Sequence, residues 1–190
     1  GAALRAWLAE QPEEPRRLHV NLCWEDLVTA ALADGDLDTA VAHMRHVPSS
    51  DRRWGLKAKV VVAACAAGPL DPVVQGWADV FAGAVHPPAG GQEDLARALA
   101  ALGGRDRLRS ISRKWSAEER VAAAGIALEG QPHADWMRRL NELKTLLHAI
   151  DDLPPRVQRA VALIRLMPPS VRSREGPVLA ADALDHAPEE

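Results

Sequence analysis

Residues able to do chemistry are few in this chain, and they stand apart. His43 and His46 are three apart in a stretch of helical periodicity, a spacing that lets two imidazoles reach one metal ion. A third ligand is wanting: Glu-x-x-His does not occur, and neither Cys23 nor Cys65 belongs to a Cys-x-x-Cys pair. The two histidines therefore read as surface residues. Glu25-Asp26 and Asp151-Asp152 are adjacent acidic pairs, and neighbours on a helix point about a hundred degrees apart, so neither pair is set to share a substrate proton. Ser49 and Ser50 lack a Gly-x-Ser-x-Gly setting, and Gly90-Gly91 and Gly103-Gly104 lack the Lys-Ser or Lys-Thr of a phosphate-binding loop. The pattern predicts no catalysis, no metal and no cofactor.

Binding chemistry is better represented. Arg105, Arg107, Arg109, Arg113 and Lys114 form a basic stretch that ends at Arg120 and can meet a nucleic-acid backbone or an acidic partner, although a solvated helix face has the same look. The charge distribution is uneven: residues 1–100 hold 9 basic and 13 acidic side chains, residues 101–174 hold 14 and 8, and the last sixteen hold none and five. Trp54 follows Arg52-Arg53, with Lys57 and Lys59 behind it, the setting of a partly exposed cation–π or peptide-binding anchor. The other tryptophans (Trp7, Trp24, Trp77, Trp115 and Trp136) stand at helical spacing among aliphatics and read as packing residues.

The elements that must position these residues are helices. The 190 residues are rich in alanine and leucine, contain no tyrosine and one phenylalanine, and so lack the aromatic and β-branched supply of a sheet. The excess of arginine over lysine suggests a GC-rich bacterial source. No run approaches the length of a membrane span and no basic-then-apolar leader opens the chain, which reads as cytoplasmic. Because Ala2 to Glu10 already has helical spacing, the chain reads as part of a longer protein. Helical stripes then run up to Ala31, from Leu37 to Val47, from about Asp51 to Ala67, from Pro72 through Phe81, and over 95–102, 108–115, 117–129, 134–150 and 157–166. Capping signals support several starts: Asp71-Pro72, and Ser116 with Glu119 three residues on. A short terminal helix over Pro177 to Leu184 with an acidic tail is expected as a polar cap, giving a repeat domain over 1–174 and a cap over 175–190. Gly35, Gly68, Gly103 and Gly130 split the helices into pairs at steps of 33, 35 and 27 residues.

Trp24 to Val47 carries the pattern most fully. Trp24, Leu27, Ala40 and Met44 fall in register with W-x2-L-G-x2-Y…A-x3-F, and the segment resembles a tetratricopeptide repeat, whose period is about 34 residues. Val28 and Ala31 replace the glycine and tyrosine, and Pro48 comes early. The resemblance implies a right-handed α-solenoid of about four or five helix pairs, with an irregular helical bundle as the alternative. It further implies a non-catalytic scaffold that holds a peptide or helix of a partner, or another domain of its own longer chain, in a concave groove. The groove-facing positions carried over are Glu25 and Thr29, Lys59, Arg97 and Arg120, graded toward positive charge and suited to an acidic segment. Nucleic-acid binding through Arg105 to Arg120 is the alternative function.

Overall fold

Ten α-helices make up all the regular structure among the described residues, which are 13–48, 51–84 and 87–184 of a computed structural model; no strand occurs among them. The all-α expectation is met. The helix expected over 2–10 with Trp7, Ser49 and Ser50, and the end of the acidic tail (185–190) lie outside the described residues. The chain divides into two compact units, residues 1–94 and 95–190.

The first unit contains α1 (Glu13–Ala33), α2 (Leu37–Met44), α3 (Asp51–Ala67) and α4 (Pro72–Gly83). The α1–α2 break needs a residue at positive φ, and Gly35 supplies it at φ 75°. Asp36 then caps α2 by accepting from the Thr39 N–H at 3.0 Å. α1 packs on α2 and α3, α2 on α3, and α3 on α4. Val28, Ala31, Ala40, Met44, Val60, Val61, Val74 and Phe81 are buried between them. Leu27 departs from the expected inward stripe and is 41 % exposed. Lying about a hundred degrees from fully buried Val28, it falls at the edge of a stripe narrowed to Val28 and Ala31.

α5 (Gln92–Ala101) spans the division between the units, and α6 (Arg105–Ser112), α7 (Ala117–Leu128), α8 (His133–His148), α9 (Leu153–Leu166) and α10 (Pro169–Leu184) complete the second. α7 opens with the capping box expected from sequence: the Ser116 N–H donates to Glu119 at 2.9 Å and the Glu119 N–H donates to Ser116 Oγ at 3.4 Å. Leucines at helical spacing along α8 (Leu140, Leu143, Leu147) join Val121, Trp136, Leu163 and Leu179 in one core. Each such buried leucine contributes roughly 1.5–3 kcal/mol of transfer free energy. Arginines close the helix ends. Buried Arg156 donates to the Ile150 and Asp151 carbonyls at the end of α8, and Arg172 donates to the Arg165 and Met167 carbonyls at the end of α9.

The last helix corrects the expected cap. Helix α10 begins at Pro169, not Pro177, so a boundary at residue 175 falls inside it. Pro169 at its first position needs no N–H partner, and Pro177 is tolerated in the interior on the exposed face. α10 packs on both α8 and α9 and buries Val171, Gly176, Leu179 and Ala183, so it is part of the second unit's core.

Candidate functional site

A groove in the second unit follows from the small side chains of α7. α7 lies against both α6 and α8, and between those two walls its Ala123, Ala124 and Ala127 form a floor too low to fill the space. Three adjoining depressions result, all bordered by Arg109 and Arg139. The widest, about 500 Å³, is lined by Asp106, Arg109, Ser110, Ser112 and Arg113 from the α6 side, Arg120 from α7, and Arg139, Glu142 and Leu146 from α8. The far one, about 130 Å³, adds Arg105, Gln131, Asp135 and Arg138. Arg105, Arg109 and Arg113 recur every four residues and so share one face of α6, while Arg107 and Lys114 fall on others.

The groove is basic, and its charges are unevenly committed. Arg109 is paired with Asp106 at 3.0 Å, Arg138 with Asp135 at 3.3 Å, and Arg139 with Glu142 one turn along the same helix. Arg105 donates from Nε to the Ala127 carbonyl at 3.1 Å. Arg113 and Arg120 have no carboxylate partner among the described residues. Two uncompensated guanidinium groups therefore border the widest part of the groove.

Only some of the residues anticipated from sequence meet there. Arg105, Arg109, Arg113 and Arg120 line the groove. Arg107 and Lys114 are exposed elsewhere, and exposed Arg97 is paired with Glu129 at 3.5 Å. Glu25, Thr29, Trp54 and Lys59 belong to the first unit. Glu25 is half-buried, and the exposed Thr29 donates its hydroxyl to the Glu25 carbonyl at 2.9 Å within α1. Lys59 is exposed on α3. The Trp54 ring is half-buried and edge-on to Phe81, with centroids 4.5 Å apart, and it backs onto Gly91. Arg138, Arg139 and Ser110 were not anticipated. The adjacent Arg138 and Arg139 are visible in the sequence of α8 and Ser110 carries no signal of its own; only the packing of α6 and α8 on either side of α7 makes them face one space.

The histidines have a packing role that spacing alone did not suggest. His46 stacks on Trp24 with centroids 4.4 Å apart, and His43 is tilted against the same ring at 5.4 Å. Among the described residues no group of three or more His, Cys, Asp or Glu side chains is arranged to hold a metal ion. Burial raises the Cys65 thiol above its usual pKa, and burial with the neighbouring Arg53 lowers Lys57, whose ammonium lies 5.5 Å from the Trp77 ring centre. A further depression, of about 420 Å³, lies in the first unit, lined mainly by Leu37, Val41, Ala64, Pro69, Val73 and Val74, and holds none of the anticipated residues. No described helix is by itself long and apolar enough to cross a membrane.

No protein-family model, curated protein or solved structure matches the chain. The functional reading therefore rests on the groove.

Proposed function

We propose that this protein is a non-catalytic interaction module of the tetratricopeptide-like, right-handed solenoid type, and that its second unit takes an acidic segment of a protein partner in the groove over α7. The partner segment is a peptide or helix, from another protein or from another domain of the same longer chain. Within each unit, the substantial helix contacts join helices one or two places apart in chain order, which is what stacked pairs require. The full burial of Ala40 and Met44, the two positions of α2 in register with the repeat pattern, points the same way.

The observation that carries the functional reading is the pair Arg113 and Arg120, without a carboxylate partner among the described residues and beside an alanine floor that leaves room for a ligand. Arginines so placed receive carboxylates in charge-assisted, often bidentate, hydrogen bonds. Charge reversal tests it: Arg113→Glu and Arg120→Glu should each weaken binding of an acidic, glutamate-bearing helical peptide by roughly tenfold or more, the worth of one lost charge-assisted bond. Unchanged affinity in both variants contradicts the reading.

Nucleic acid is the second reading, favoured by Arg105, Arg109 and Arg113 sharing one face of α6. It is weakened by Asp106, Asp135 and Glu142 among the same lining residues, and by the lack of an aromatic side chain there on which a base can stack. That reading requires retention on single-stranded RNA at low salt and a steep loss of affinity as salt rises.

A further inference from the structure

The guanidinium groups of Arg113 and Arg120, without a carboxylate partner among the described residues, lie near acids that are already engaged. Asp106 is held by Arg109 and Glu142 by Arg139. Along α7, Glu118 faces Arg159 at 4.0 Å, and Glu119 accepts the Ser116 N–H in the capping box. Arg113 and Arg120 thus leave a local excess of about two positive charges at the widest part of the groove, next to Ser110. A side-chain carboxylate brings one negative charge and two oxygens. A phosphoryl monoester brings a charge of about −1.5 to −2 and three acceptor oxygens, enough for two guanidinium groups and a hydroxyl at once.

Both arginines are also held on well-fixed backbone. Arg113 is the cap residue directly after α6, its N–H bonded to the Ile111 carbonyl. Arg120 follows the capping box by one residue, in the first turn of α7. The connection between them is short, so the two side chains are presented from adjoining helix ends without a long loop to order on binding.

On the reading that the groove takes a protein segment, we propose that its wide end is a phosphate subsite: Arg113 and Arg120, with the Ser110 hydroxyl, receive the phosphoryl group of a phosphorylated side chain in that segment. Arg109, Arg138 and Arg139, each already paired with a carboxylate, shape the walls, and Arg105 is held by the Ala127 carbonyl.

The test uses the full chain and one fluorescent alanine-based helical peptide made with a central phosphoserine, glutamate or serine. The phosphoserine peptide should bind roughly tenfold more tightly than the glutamate peptide, the worth of one further charge-assisted hydrogen bond. Arg113→Gln and Arg120→Gln should each bring it down to the glutamate level, while Lys114→Gln, which removes a charge off the groove, should leave it unchanged. Equal affinity for phosphoserine and glutamate peptides would overturn the phosphate subsite and leave acidic-segment binding standing. Failure of both peptides to bind would overturn the groove reading and the subsite together. Two competitors separate other sources of phosphate. Free O-phosphoserine binding as tightly as the peptide would assign the subsite to a small molecule, and single-stranded RNA outcompeting the peptide would assign it to nucleic acid; either result overturns the proposal. Circular dichroism confirms that each variant is folded.

Discussion

Arg105 donates from Nε to the Ala127 carbonyl at 3.1 Å, tying the first turn of α6 to the last turn of α7. The bond joins one wall of the groove to its floor, and it is partly shielded from water. Arg105→Met should lower stability by about 1 kcal/mol, the net worth of one such hydrogen bond, read as a lower denaturation midpoint with an unchanged slope. Acidic-peptide binding should weaken in the same variant because the wall is less well held. A variant as stable as the parent would show that the bond does not anchor α6.

Close helix packing depends on the missing side chain of Gly125. A Cβ there would lie 2.6 Å from Leu163 Cδ2 and 3.2 Å from Leu166 Cδ1, and Leu163 is almost wholly buried. Gly125→Ala gains up to ~1 kcal/mol of helix propensity but overpacks the core at a cost of about 1–3 kcal/mol. Net destabilisation is expected. In a Leu163→Ala background the space is open, so the same substitution should become stabilising, and a double-mutant cycle reads the reversal. The same sign in both backgrounds would refute the steric account.

Buried Arg156 offers a sharper stability test. It satisfies the Ile150 and Asp151 carbonyls, with its Nε and Nη2 at 2.8 and 3.0 Å. Arg156→Leu keeps bulk but strands those acceptors where water is scarce. Unfolding free energy should fall by about 2–4 kcal/mol, the range for charge-assisted bonds plus the unmet acceptors. A loss no larger than that of an ordinary surface substitution would mean that the end of α8 has other means of closure.

The cap of α2 predicts a pH dependence. The Thr39 hydrogen bonds hold the Asp36 carboxyl below its usual pKa of 3.8. With the folded value lowered, the capping contribution is fully present above that usual value and is lost as pH falls through the folded one. Asp36→Asn, which caps without titrating, should therefore denature with a shallower loss of thermal midpoint in acid than the parent. Parallel acid profiles would contradict this origin of the shift.

Much of the helical framework was legible because it is written in local signals. The Ser116–Glu119 box and the Asp71-Pro72 start appear where the sequence places them, and Gly35, Gly68, Gly103 and Gly130 all take positive φ at the joints. The start of α10 was misjudged because Pro168-Pro169 reads equally as the end of one helix and the first turn of the next. The groove was half legible. The i, i+4, i+8 arginines of α6 could be recognised as one face, but their meeting with Arg120 and Arg139 is a product of tertiary packing, and the alanine floor is silent in any motif. The role of His43 and His46 around Trp24 is likewise a contact between helices that no spacing within one helix reveals.

The proposed partner lies in the groove over α7 and is not simply drawn to exposed charge. Ala124 borders two of the three depressions and carries no charge, so Ala124→Leu raises the floor while leaving every arginine in place. Titration calorimetry of the acidic helical peptide against this variant, confirmed as folded, is the most direct measurement. Groove occupancy predicts a loss of affinity comparable to that in Arg120→Glu; parent-like affinity for Ala124→Leu would place the ligand outside the groove.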